Sequence, residues 1–348
     1  MRSLMPRPLT WPGLGHTIGH MPLTGAALPS DQALMAFSTA GLPAARRVEL
    51  WETHNATALV GLDVHAGRPL VATELNVRLQ HADLARVAAS AHMVRRTRNV
   101  IEGSPADAIA VYLTLRGDAW FESAEGTHSL GPGDILICET DRPFVRGFSY
   151  GLEELVVKAE HSALPEVSPL DGPVVASFRD SGGGRQYARA LAAITGGATR
   201  ARRPRPADEG TVLDLITVLA SGRAAPSMTA HRAAARSYIE ERLTNPDLGA
   251  EEVATAIGIS ARQLSRIFAA DGTSIPRHIL SRRLQLAYAM LSTGQPTTPT
   301  VADIAAGCGF TSVTYFSHAF RQHFGHRASD IRGGVARESL HHARRSCT

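Results

Sequence analysis

The feature that most constrains this chain is a repeat: residues 251–332 hold two copies of one helical pattern. The first reads Glu252-Val253-Ala254-Thr255-Ala256-Ile257-Gly258-Ile259-Ser260 and runs on through Arg262, Leu264 and Arg266 to Phe268. The second reads Asp303-Ile304-Ala305-Ala306-Gly307-Cys308-Gly309-Phe310 and runs on to Phe316 and Phe320. Internal repetition of this kind bounds the architecture before any local pattern does.

Each copy opens with a short helix that has an acidic first turn and an aliphatic-Ala pair on its buried side. Gly258 or Gly309 then supplies the left-handed residue that turns the chain sharply after a helix. Ser260-Ala261-Arg262-Gln263 is a Ser-x-x-Gln capping sequence, so a second helix starts there. Leu264, Ile267 and Phe268 fall on one side of it, leaving Ala261, Arg262, Ser265 and Arg266 outward. In the second copy Phe316, Ala319, Phe320 and Phe324 take the buried side, while Val313, Thr314, Ser317, His318 and Arg321 face out. A short helix, a glycine turn and a second helix with a polar, Arg-bearing outer face make a helix-turn-helix, whose second helix enters a DNA major groove. Between the copies, residues 274–292 predict a continuous spacer helix, with Ser274 as cap, Pro276 in its first turn, and Ile279, Leu280, Leu284, Ala287, Met290 and Leu291 at helical spacing.

On these residues the last hundred or so positions resemble the AraC/XylS-type transcriptional regulators. The matching pieces are Glu252-Val253-Ala254, Gly258-Ile259-Ser260, Leu264-Ser265-Arg266-Ile267-Phe268, Arg283-Leu284, Ala287, Leu291, Ile304-Ala305, Gly309-Phe310, Phe316-Ser317, Ala319-Phe320-Arg321 and Phe324-Gly325. The resemblance implies a seven-helix domain whose two recognition helices lie in successive major grooves, about 34 Å apart. Carried over by position, base contacts fall to Arg262, Ser265 and Arg266 in the first reader and to Val313, Thr314, Ser317 and His318 in the second. Phosphate contacts fall to Arg282 and Arg321. The chain departs from the family pattern at His318, where Arg is frequent, and at Ala328, where Pro is usual. A neutral imidazole is a weaker partner for guanine than a bidentate Arg.

A chain of 348 residues predicts two domains. The net charge is only +4, yet from His231 onward fourteen Arg stand against nine acidic residues, so the basic surplus sits beside the readers. The cysteines Cys138, Cys308 and Cys347 are too few and scattered for a disulfide framework or a zinc site, which suits a reducing cytoplasm. Cys308, beside the turn glycine, is expected to be a small buried residue. No stretch approaches the roughly twenty apolar residues of a membrane span, and the first thirty residues have no signal-peptide core.

Upstream of the readers the period changes. After a helix over residues 43–54, Leu75, Val77 and Leu79 alternate with polar residues, as do Ile109, Val111, Leu113 and Leu115, the pattern of half-buried strands. Short runs at 120–122, 128–130, 135–138 and 155–157, separated by Gly- and Asp-bearing turns, predict an antiparallel barrel or jelly roll. Leu130-Gly131-Pro132-Gly133-Asp134, with Phe37-Ser38-Thr39, resembles the cupin-like effector domain of one branch of the same family. His81, His92 and His128 stand alone, without a His-x-His pair, so no metal or other cofactor is expected and each reads as a surface or strand-edge residue. A glycine turn at 181–184 precedes predicted helices at 186–194 and 208–220. The apolar face of the latter, Val212, Leu213, Leu215, Ile216 and Leu219, fits either packing on its own barrel or a homodimer contact.

The fold class that follows is α+β multidomain: a cupin-like antiparallel β-barrel with flanking helices, then an all-α tandem helix-turn-helix domain. Expected boundaries are a disordered stretch at 1–36, an effector-sensing domain at 37–222, a linker at 223–230, the DNA-binding domain at 231–333 and a disordered tail at 334–348. The expected function is a cytoplasmic, non-enzymatic regulator, with promoter DNA, a small-molecule effector and RNA polymerase as partners. Two readings compete with it: a cupin-type metal enzyme fused to a DNA-binding domain, and a regulator whose barrel only dimerises. The first lacks any metal set, nucleophile triad or phosphate-cradling glycine loop.

Overall fold

The computed structural model describes residues 21–22, 32–177, 184–221, 227–292 and 299–332. Most of the expected disordered N-terminus, residues 181–183 of the glycine turn, residues 223–226 of the expected linker and the expected tail at 334–348 fall outside them, while residues 227–230 of that linker are helical.

The N-terminal part runs β1 (Met21–Pro22), β2 (Leu34–Ser38), α1 (Arg47–Ala58), β3 (Asp63–His65), β4 (Ala72–Arg78), β5 (Ala82–Ala89), β6 (His92–Arg96), α2 (Arg98–Gly103) and β7 (Ala108–Arg116). It continues through β8 (Ala119–Ser123), β9 (Gly126–Leu130), β10 (Asp134–Glu139), β11 (Phe144–Phe148), β12 (Leu152–Glu160), β13 (Val174–Ser177), α3 (Arg185–Ala198) and α4 (Glu209–Ser221). Strand β2 pairs with β4 from Leu34↔Val77 to Ser38↔Thr73, so regular structure starts ahead of the expected boundary at 37.

The expected barrel is a pair of antiparallel sheets, eight-stranded in the order β1-β2-β4-β5-β12-β7-β10-β13 and five-stranded in the order β3-β6-β11-β8-β9. Strand β7 shows how they sit. Ile109, Val111 and Leu113 share one core with Leu75, Val77, Ile135 and the helices α3 and α4, whereas Ala110 and Tyr112 share another with Phe121, Phe144 and Phe148 of the smaller sheet. Both faces are covered, and β7 is buried from Ala108 to Thr114. The half-buried strands expected from alternation are corrected here: the face opposite the aliphatic residues meets a second sheet, not water. That face therefore buries polar side chains, among them Glu74, whose carboxylate lies 3.5 Å from His54 Nε2.

Helix α4 lies against α3 and the large sheet, with Val212, Leu215, Ile216 and Leu219 in the first core. Its apolar face, for which packing and dimerisation both stood open, is thus covered within this chain.

The C-terminal part is helical: α5 (Ser227–Arg242), α6 (Ala250–Ala256), α7 (Ala261–Ala270), α8 (Ile275–Ser292), α9 (Val301–Gly307) and α10 (Val313–Phe324), with residues 328–332 helical again. Helix α5 joins the two parts. Its Ala233 is buried in the N-terminal core, while Ala235, Ile239 and Leu243 belong to a third core shared with α6 to α10. Among the described residues no helix is long and apolar enough to cross a membrane.

Candidate nucleic-acid interface

The first reader is α6 and α7 with Gly258 between them at φ +74°. That left-handed backbone costs most residues about 1–2 kcal/mol, which glycine avoids. The Gln263 N–H donates to Ser260 Oγ at 3.1 Å and starts α7. Leu264, Ile267 and Phe268 are buried, and Ala261, Arg262, Ser265 and Arg266 are exposed together on the opposite face.

The second reader repeats the geometry with stronger caps. Thr300 and Asp303 form a full capping box: the Asp303 N–H donates to Thr300 Oγ1 at 3.1 Å, and the Thr300 N–H donates to Asp303 Oδ2 at 2.8 Å. Hydrogen bonds from the Thr300 side chain and backbone hold the Asp303 carboxyl below its ordinary range. Gly309 turns the chain at φ +83°, and the Tyr315 N–H donates to Ser312 Oγ at 3.2 Å to open α10. Phe316, Ala319 and Phe320 are buried, Phe324 is half-buried, and Val313, Thr314, Ser317, His318 and Arg321 are exposed. Tyr315, which periodicity did not single out, is 54% exposed at the same end of the helix. Cys308 is buried as expected, and burial pushes its thiol up to about 12.

Helix α8 carries both readers. The Phe268 ring meets His278 edge-on at 5.5 Å, and Tyr288 packs on Phe324 at 4.8 Å. Arg283 reaches back from α8 to the end of α5, with Nε–H donating to the Leu243 carbonyl at 2.9 Å.

Arg282 is a correction. Expected at a phosphate, it is 3% exposed; its guanidinium donates to Glu240, Gln285 and, at 2.7 Å, to the Pro206 carbonyl of the N-terminal part. A guanidinium so covered has no free donor to offer a phosphate. The cause is tertiary: the loop before α4 lies over this stretch of α8. Beside it, burial pushes the Asp208 carboxyl up, but Arg282, His278 and Arg236 outweigh that and bring it down to about 2.

A second charged junction was not foreseen. Asp214 of α4 accepts from Arg232 Nε at 2.9 Å and Nη2 at 2.6 Å, and from Arg236 Nη1 at 2.8 Å. The same two arginines donate to Asp271, the residue that ends α7, at 3.2 and 2.9 Å. Burial nonetheless raises the Asp214 carboxyl above its ordinary range against the pull of Arg232 and Arg236. Gly210 makes room for this network, since a Cβ there would stand 2.5 Å from Arg236 Nη1.

His92 is the other correction. Expected at a surface or strand edge, it is 9% exposed, with Nδ1 2.7 Å from the Ser90 carbonyl; burial brings its pKa down to about 4. His81 lies 3.2 Å from Glu160, and His128 is half-buried on β9. Among the described residues no three His, Cys, Asp or Glu side chains group as ion ligands.

Comparison with known proteins adds two family matches and several relatives. An AraC-binding-like domain matches residues 51–243, more than half of the chain, and a helix-turn-helix domain matches residues 253–334. The transcriptional activator RhrA of Rhizobium meliloti is 36% identical over 124 residues, which are 34% of this chain and 39% of RhrA. The chain thus spans well under half of that relative. The transcriptional activator NphR of a Rhodococcus species is 26% identical over 261 residues, 70% of this chain and 75% of NphR. Among solved structures, that of the AraC-like transcriptional activator CuxR aligns over 78% of this chain and 99% of its own at 21% identity, with a TM-score of 0.43.

Proposed function

The chain belongs to the AraC family of transcription regulators, and from that premise we propose that it reads a two-part promoter site under the control of a small molecule held by its N-terminal domain. The observation that carries this reading is the doubled recognition face: α7 and α10 each follow a left-handed glycine, each bury one aromatic-aliphatic side, and each present polar residues outward from the shared helix α8. Arg262, Ser265 and Arg266 contact bases in one major groove, and Val313, Thr314, Ser317 and His318 in the next. Arg321 holds phosphate. Arg282 is left out of this set, because its place is inside the protein. Cytoplasmic promoter DNA is the target, and contact with RNA polymerase makes the protein an activator, as RhrA and NphR are by name.

The test is capture of genomic fragments by the purified full-length chain at near-physiological salt, followed by sequencing. The expected product is a motif whose halves lie about 10 base pairs apart, one helical turn. A single uninterrupted half-site, or binding that is equal on all sequences and lost with salt, would overturn the tandem reading.

A further inference from the structure

Between the two sheets lies a small cavity that the DNA-reading function does not use. Arg146 and Glu154, 2% and 4% exposed, pair there through two hydrogen bonds, Nη1 to Oε1 at 3.2 Å and Nη2 to Oε2 at 2.7 Å. The guanidinium lies 3.7 Å over the Tyr112 ring and 5.0 Å from the Phe148 ring, and Arg146 Nε has no hydrogen-bond partner among the described residues. The cavity beside them has a volume of about 40 Å³ and is also walled by Trp51 and His92. A space of that size takes only a few waters.

His92 and Phe148, with rings 4.7 Å apart, also line a surface groove of about 690 Å³ that runs past His65, Met93 and Trp120. The Trp120 indole packs against Gly147, where a Cβ would come within 2.3 Å of it. These two rings are therefore the wall between groove and cavity. Because the Ser90 carbonyl can only accept, His92 Nδ1 carries the proton, and in the neutral ring Nε2 is a bare acceptor.

The charges decide what can enter. Arg146 and Glu154 already neutralise one another. Lys158, which also lines the cavity, is likewise paired, with Asp83 at 2.7 Å. An anion at the free Arg146 Nε–H would stand beside the Glu154 carboxylate, and a cation beside the guanidinium; in a site this buried neither the repulsion nor the lost hydration is repaid. An uncharged ligand meets no such penalty, and two groups await it: the His92 acceptor and the unpartnered Arg146 Nε–H. Resting on the reading that this domain senses a small molecule, we infer that cavity and groove form one site for an uncharged planar molecule bearing both an N–H or O–H donor and an acceptor. Trp51 and Phe148 flank its faces, and the His92–Phe148 wall parts to admit it.

The test measures the melting temperature of the full chain against three matched sets of aromatic fragments, represented by benzamide, benzoate and benzylamine. The uncharged set is expected to raise it and the charged sets to leave it unchanged. In His92→Phe, which keeps a ring in the wall but removes the acceptor, benzamide affinity is expected to fall about tenfold. Glu154→Gln leaves Arg146 uncompensated, so the preference is expected to move to benzoate, a gain that misfolding cannot imitate. Binding confined to a charged set in the unaltered protein, or benzamide binding indifferent to His92→Phe and Glu154→Gln, overturns the inference and leaves the sensing role standing. A chain that binds no member of any set overturns the inference as well, and the sensing role is then tested separately by the genomic-fragment capture and the genes it names.

Discussion

The two readers are built on one pattern but are held in the molecule differently. The first ends at Asp271, which Arg232 and Arg236 tie to Asp214 of the N-terminal part. The second packs on α8 through Tyr288, Phe320 and Phe324, and among the described residues none of its hydrogen bonds or ion pairs reaches the N-terminal part. Local pattern shapes a reader; charges at its ends decide what it moves with. A change in the sheet domain is felt directly at the end of α7, whereas α10 rests on α8.

The largest effect expected from this difference comes from Asp214→Ala. Removing the carboxylate leaves Arg232 and Arg236, 20% and 11% exposed, close together with only Asp271 to share. Breaking one side of a buried ionic cluster costs about 3–5 kcal/mol, even where the intact cluster contributes little net stability. Hydrogen exchange is expected to quicken in α4, α5 and α7 while α10 keeps its protection. Equal loosening of α10 would mean that the readers move as one body.

The turn glycines separate the readers further. Both have positive φ, but a Cβ at Gly258 meets nothing within 4 Å, whereas one at Gly309 stands 3.0 Å from Arg283 Nε and 3.1 Å from the Thr244 carbonyl. Gly258→Ala is expected to cost about 1–2 kcal/mol from the backbone alone. Gly309→Ala adds crowding, for a total of about 2–4 kcal/mol. Urea unfolding of the two variants checks the order, and equal midpoints would refute it.

On DNA the asymmetry runs the same way. Arg262→Ala or Arg266→Ala is expected to cost about 1–3 kcal/mol of specific binding and to relax one base position, while His318→Ala costs under about 1 kcal/mol. Equilibrium binding to sites scrambled in one half at a time measures this. A larger loss at His318 would reverse the ranking of the readers.

Much of this was legible before any coordinates. The helix–glycine–helix repeat, the Ser260 cap and the spacer helix are local, and local chemistry is written within a few residues. Three things were not. Whether Tyr112 and His92 met water or a second sheet depended on sheet pairing, which alternation does not encode. Arg282 and Arg321 look alike on their helices, and only the fold over α8 covers one of them. Asp214, Arg232 and Asp271 converge from far apart along the chain, with no spacing to announce it.

The smallest expected effect concerns the aromatic residue on which each reader rests. The second rests on Tyr288, the first on His278, whose Nε2 is buried without a partner among the described residues. Burial lowers the His278 pKa; Asp208 and Glu240 oppose this, while Arg236 and Arg282 add to it. The folded pKa thus lies below the ordinary value of about 6.5, and the neutral ring is the form that folds. Its contribution is whole above about pH 6.5 and is lost as the pH falls from there to the folded pKa, by at most about 1.4 kcal/mol per pH unit. His92 and His323, shifted the same way, are present in both proteins when wild type is compared with His278→Gln, so their contributions cancel. Asp208, with a folded pKa of about 2, contributes stability that is lost only as the pH falls below about 4, outside this window. Stability measured by urea unfolding between pH 7 and 5 is therefore expected to fall less steeply in His278→Gln than in wild type, and Tyr288→Gln is expected to lower stability without altering the slope. Parallel curves for His278→Gln and wild type would show that the first reader does not sense acid through α8, and the distinction between the two supports would be one of shape alone.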